Sequence, residues 1–174
     1  NNIMSTLKVS TIAPLGTDAT NTVSLQAGAK TSGFGKIAQV VQGSKTDQFE
    51  TSSTSFVDGG LSATITPSTT SSKILIMCST SAIHTSTTSA GGETLIKFYD
   101  GTTAIGDEYQ VAKTRQDGSY NQEGGGGGTA MFLYSPSTTS ATTINVYVRI
   151  NTGSNGRICQ NGHGATITLM EILD

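Results

Sequence analysis

Apolar residues recur at every second position in one short segment after another, and this alternation constrains the fold more than any other feature. Its cleanest instance is Ile144, Val146, Val148 and Ile150, separated by Asn145, Tyr147 and Arg149. Successive side chains of an extended chain point to opposite faces, so the first set faces a core and the second faces water. No stretch between such segments shows the 3.6-residue spacing of an amphipathic helix. Ser and Thr together outnumber the charged residues, Gly occupies 21 positions, Pro 3 and Trp none. Thr is β-branched and suits strands, while Ser and Gly compete with helical hydrogen bonding, so helix is expected to be nearly absent.

Ten segments read as strands: Lys36–Gln42, Thr54–Val57, Leu61–Thr66, Lys73–Ile83, Thr94–Tyr99, Tyr109–Lys113, Ala130–Tyr134, Ile144–Ile150, Arg157–Gln160 and Ala165–Leu173. Asp58-Gly59-Gly60 and Asp100-Gly101 read as turns, and 117–128, with its five consecutive glycines, as a loop. Short connections of this kind suit hairpins and Greek keys. The expected fold is all-β, an antiparallel jelly-roll-like β-sandwich over 36–174. Residues 1–35 read as an extended N-terminal arm and linker. Leu7, Val9 and Ile12 alternate there, but two short strands cannot build a core, so the arm is expected to pair with other chains.

Ala165–Leu173 is apolar on both faces. Ile167, Leu169 and Leu173 are assigned to the sandwich, Met170 and Ile172 to a subunit interface. Glu171 falls among the sandwich set and is expected to reach solvent or a cation, because an unpaired buried carboxylate is too costly. Hydrophobic content of 34% and aromatic content of 6% are thin for a free-standing chain, and association supplies the missing core.

The formal net charge is -2 and the ten Lys and Arg are scattered, which argues against nucleic acid as a partner. No segment is long and apolar enough to suggest membrane insertion, and no signal-peptide pattern is present; Met4 reads as a natural start. Cys78 and Cys159 lie in or beside strand-like runs and are expected to be buried free thiols rather than a disulfide.

The sequence carries no recognisable catalytic or cofactor motif. Gly28-x4-Gly33 fails as a phosphate loop, since Phe34 and Gly35 precede Lys36, no Ser or Thr follows it, and the segment enters a strand. His84 and His163 lack metal-ligand spacing; an ion shared between subunits through His163 or Glu171 is the weaker reading beside a plain loop histidine and strand-end carboxylate. Asp100, Asp107, Glu108, Asp117 and Glu123 lack a calcium-loop spacing and read as solvated loop carboxylates. The chain is therefore expected to be no enzyme, with no cofactor and no metal. Surface recognition remains. Tyr120, Asn121 and Gln122 beside Gly124–Gly128, and Arg157, Gln160, Asn161 and His163, offer an aromatic face, amides and charge suited to a glycan or polar epitope.

Met4-Ser-Thr-Leu-Lys-Val-Ser-Thr-Ile12, Gly35-Lys-Ile-Ala-Gln-Val-Val-Gln42, Thr54-Ser-Phe-Val57, Ile65-Thr-Pro67, Ser71-Ser-Lys-Ile-Leu-Ile76 and the closing Ala165–Ile172 follow one another in order. This succession resembles small tail-fibre and virion structural proteins of bacteriophages, marine and cyanobacterial ones in particular. The strand order is similar to the complement-C1q and tumour-necrosis-factor jelly roll. The resemblance implies a homotrimeric fibre or knob on the virion, tail or capsid exterior, joined to other virion proteins by its arm, with distal loops as candidates for contact with a host surface glycan or protein. A capsid-decorating or cement protein and a cellular lectin-like carbohydrate-binding module are the alternatives.

Overall fold

In a computed structural model of the protein, residues 37–86, 91–114 and 122–173 are described, apart from the side chains of 86, 122, 123 and 161. They form ten strands: β1 (Ile37–Lys45), β2 (Phe49–Thr51), β3 (Val57–Ile65), β4 (Lys73–Ser86), β5 (Gly92–Asp100), β6 (Thr103–Thr114), β7 (Gln122–Tyr134), β8 (Thr142–Ile150), β9 (Asn155–Ile158) and β10 (Ala165–Ile172). The one helical piece among these residues is a 3-10 turn at Gln160–Gly162. The arm residues Leu7, Val9 and Ile12 lie outside the described residues.

β4 is the spine of the first sheet. β7 pairs along one side of it from Ile74↔Tyr134 to Ser86↔Gln122, while β10 covers the first half of its other side and β9 the second half. β1 then pairs with β10, and β2 with β9. The second sheet has the order β3-β8-β5-β6, and every pairing in the molecule is antiparallel. With β2 and β9 set aside, the first sheet holds the first, eighth, third and sixth strands and the second holds the second, seventh, fourth and fifth. That interleaving is a jelly roll, two Greek keys folded into a sandwich.

Alternation fills the space between the sheets. Ile144, Val146, Val148 and Ile150 are buried on β8 as the pattern requires, and the first three join Ile74, Ile76 and Cys78 of β4 and Ile167 and Leu169 of β10 in one continuous core. Phe98 is the largest fully buried side chain. Apolar area of this kind contributes roughly 25 cal/mol per Å2 removed from water, and the core is where most of the folding free energy arises.

Three expectations need correction. Thr54–Phe56 is not a strand; the extended pieces there are β2 before it and β3 from Val57 onward. Asp58-Gly59-Gly60 does not turn the chain but makes a bulge inside β3, where the register to β8 shifts between Asp58 and Leu61. Gly60 adopts φ +72°, and its N–H donates to Asp58 Oδ1 at 2.9 Å, the residues of a turn serving a bulge instead. The third correction is larger: 122–128 is not loop but the first half of β7. Glycine is usually poor in strands because it offers nothing to pack. Here the neighbour is backbone. A Cβ on Gly126 would come within 2.6 Å of the Val111 carbonyl oxygen, one on Gly124 would overlap the Lys113 carbonyl, and one on Gly128 would meet Val111 Cγ1 at 3.3 Å. The inward glycines let β6 lie directly against β7 at the rim of the sandwich.

Candidate interaction surfaces

The outward side of the first sheet is apolar at one end, across β1, β10, β4 and β7. Register sets Val40, Met170, Leu75 and Leu133 in one row across β1, β10, β4 and β7, and Gln42, Thr168, Met77 and Met131 in the next. Ile172 stands between Ile37 and Lys73 in a further row. Of these, Ile37 is 54% exposed, Val40 53%, Met131 56% and Leu133 49%, an unusual concentration of large apolar groups in water. Lys73 is the one charged residue in these three rows. Met170 and Ile172 thus stand on the outward face with exposed apolar neighbours.

Glu171 does not reach solvent or a cation, contrary to expectation. It is fully buried on the inner side of β10. Its carboxylate accepts hydrogen bonds from the Ser68 N–H and Ser68 Oγ, each at 2.6 Å, from Ser72 Oγ at 2.7 Å and from Gln39 Nε2 at 2.6 Å. Burial alone would push its pKa up. The donors of Ser68, Gln39 and Ser72 outweigh burial and hold the group down at about 2. Four neutral donors do what one cation was expected to do, and they tie β1, β10 and the β3–β4 connection together. A carboxylate so enclosed is not a ligand for an ion shared between subunits.

His84 is also fully buried, near the end of β4. Its Nδ1 lies 3.1 Å from Thr94 Oγ1, while Nε2 has no hydrogen-bond partner of good geometry. A Cβ on Gly92 or on Gly153 would overlap the imidazole, so bare backbone makes the space that the ring fills. Burial lowers its pKa below the ordinary value, and the Thr152 carbonyl and Glu93 offset this only in part. The thiols are interior groups too. Cys78 and Cys159 are free and buried, and burial, with Cys159 nearby, pushes Cys78 up to about 12, leaving it protonated and inert.

The outward side of the second sheet is chemically different. Asp58, Tyr147, Lys97 and Glu108 form one row, and Ser62, Asn145, Tyr99 and Ala104 the next. Tyr99 and Tyr147 stack with ring centroids 3.9 Å apart, and Phe56 lies tilted to Tyr99 at 6.2 Å. The Arg149 guanidinium sits over the Phe56 ring at 5.2 Å and donates to Glu108 Oε2 at 2.6 Å. Lys113 and Glu93 pair at 3.0 Å toward one end of the sheet. Outward positions for Tyr147 and Arg149 were legible from alternation, but the cluster was not, because strand register brings its members together from four separate segments.

The sequence-selected recognition residues fare unevenly. Tyr120 and Asn121 lie outside the described residues, and Gln122 opens β7. Arg157 is on β9 and is engaged by Glu50, Nε to Oε2 at 2.5 Å. Gln160 and Asn161 belong to the 3-10 turn, and His163 follows it on the surface, its carbonyl accepting from Ser81 Oγ at 2.9 Å. The structure therefore places Arg157 to His163 at the first sheet, around β9, and away from the aromatic cluster of the second. Among the described residues no group of three or more His, Cys, Asp or Glu is placed to hold a metal ion.

No protein-family model matches the chain, and no curated protein does. Among solved structures it is similar to the Eiger TNF of S. frugiperda, at 7% identity over 78% of this chain and 94% of that one, with a TM-score of 0.45. It is also similar to a chain of infectious bursal disease virus, Gx strain, at 12% identity over 78% of this chain and 37% of that one, with a TM-score of 0.35. Scores this low carry no argument about function, and the jelly roll stands on the strand order itself.

Proposed function

We propose that the chain is a non-enzymatic structural protein of a bacteriophage virion, a homotrimeric knob held to the particle by its N-terminal arm, with part of its surface meeting the host. The observation that carries the assembly is the apolar outward face of β1, β10, β4 and β7. Three rows with a single charged residue form a self-compatible surface, and a threefold arrangement buries them around one axis while leaving the charged second sheet in solvent. Met170 and Ile172 lie in that interface. The virion assignment rests on the ordered sequence resemblance described above. A capsid-decorating protein would use the same trimer without host contact, and a cellular lectin-like module would occur apart from particles.

Light scattering on the purified chain tests the assembly: a trimer at micromolar concentration is expected, and a monomer refutes it. Immunogold labelling of purified particles tests the location. Label on the tail supports the fibre reading, label on the shell supports decoration, and unlabelled particles eliminate both.

A further inference from the structure

The geometry points to a binding platform for the pyranose rings of a neutral polysaccharide on the outward face of the second sheet, centred on Tyr147 and Tyr99. This deepens the host-contact half of the proposed function and moves it from loops to a sheet. Three observations carry it. First, Phe56, from the connection before β3, gathers with Tyr99 and Tyr147 of neighbouring strands, and the face of Tyr147 turned away from Tyr99 has no aromatic neighbour among the described residues. The C–H groups on one side of a pyranose are weakly positive and pack against such a negative ring face.

Second, polar capacity around the rings is unused. Among the described residues the hydroxyls of Tyr99 and Tyr147 and the ammonium of Lys97 have no hydrogen-bond partner, and Asp58 commits one oxygen to Gly60. Asp58, Tyr147 and Lys97 follow one another across the row, so an acceptor, a hydroxyl and a donor stand at neighbouring strand spacings. A sugar ring presents both a donor and an acceptor at each hydroxyl and matches such a mixed series. Third, the charges cancel: Asp58 and Glu108 balance Lys97 and Arg149. That suits an uncharged chain and disfavours an anionic one. A single platform would bind weakly, and three on one trimer would gain through avidity.

Affinity electrophoresis of the full chain tests this, in native gels cast with a neutral galactomannan, a neutral glucan or anionic alginate. Retardation in at least one neutral gel and none in alginate is expected. Tyr147→Ala should weaken it by roughly tenfold, with Lys97→Met weaker than wild type by a smaller factor. Free migration of the wild type in both neutral gels, retardation by alginate alone, or unchanged retardation of Tyr147→Ala overturns the platform. Should Tyr147→Ala fail to fold, Lys97→Met decides, since it keeps the aliphatic stem, and its unchanged retardation is equally fatal. The gels do not measure assembly or location: a trimer found on particles that migrates freely sinks the platform alone, and a retarded chain absent from particles sinks the virion reading alone.

Discussion

The two sheets solve the same folding problem with opposite surfaces. The first buries two ionisable groups, Glu171 within a ring of donors and His84 within a space framed by glycine, and turns apolar rows outward across β1, β10, β4 and β7. The second fills its inside with Ile96, Phe98, Val146 and Val148 and turns Asp58, Lys97, Glu108 and Arg149 outward. Burial decides what each group costs. A charge in water is cheap and contributes little, whereas a buried one is expensive unless every lone pair is answered. The first sheet therefore reads as a surface made to be covered, and the second as one made to stay wet.

The sharpest way to break this contrast is to put the same charge on each face. Met170→Asp is expected to convert the proposed trimer wholly to monomer in light scattering, because an unpaired interfacial carboxylate costs several kcal/mol in each of three subunits. Ser62→Asp on the second sheet should leave the proposed trimer unchanged. A trimeric Met170→Asp would mean that the faces are assigned the wrong way round.

Next in size is the interior charge. Glu171→Gln, which replaces an ionic acceptor facing four hydroxyl and amide donors, should lower unfolding stability in urea by about 2–3 kcal/mol. Its pH dependence carries a sign. The folded carboxyl titrates at about 2 against an ordinary 4.5, so its stabilisation is present above pH 4.5 and is lost as pH falls toward 2. Replacing it with Gln should flatten the urea midpoint across that window. His84 acts earlier: with a folded pKa below 6.5 its contribution is full above pH 6.5 and declines as pH drops, since the unfolded chain takes up the proton more readily. Wild-type stability should thus begin to fall below pH 6.5, before Glu171 contributes.

Smaller still is the glycine strip, whose alternate members face opposite ways. Gly126→Ala should cost about 1–3 kcal/mol through its clash with the Val111 carbonyl, while Gly125→Ala, with open space at its Cβ, should change monomer stability by less than about 0.5 kcal/mol. Thermal melts at matched oligomeric state measure both. Least of all is the second sheet's ion pair. Arg149→Ala should cost about 0.5–1 kcal/mol and less at high salt, as half-exposed pairs do; a loss above 2 kcal/mol would show that this face is not as solvated as described.

Strand positions and inward faces were legible because alternation is a local signal. Ile144 to Ile150 and Ile167 with Leu169 could be assigned to the core before any register was known, whereas Leu173, assigned with them, lies half-buried past the end of β10. What stayed hidden is what register creates. Nothing near Glu171 in sequence announces Ser68, Ser72 or Gln39, which are brought to it by strand pairing and by the connection into β4. The glycines of β7 misled for a related reason: glycine signals freedom only where nothing lies close, and the β6 backbone that presses on Gly124 and Gly126 comes from another sheet. The tyrosine platform was half visible, since Tyr147 was expected to face outward, yet its stack with Tyr99 depends on β5 and β8 being neighbours.

β10 fits between β1 and β4, and it follows the nine other strands of the described residues in sequence. Until synthesis delivers it, β1 has no hydrogen-bonding neighbour and half of one side of β4 is bare, a slot lined by unpaired N–H and C=O groups. The first sheet consequently cannot be completed until β10 is in place, although the second sheet and the β4–β7 pair need no part of it. That last insertion is long-range, which slows folding and leaves a nascent chain open to capturing the wrong strand, including the same strand from another copy.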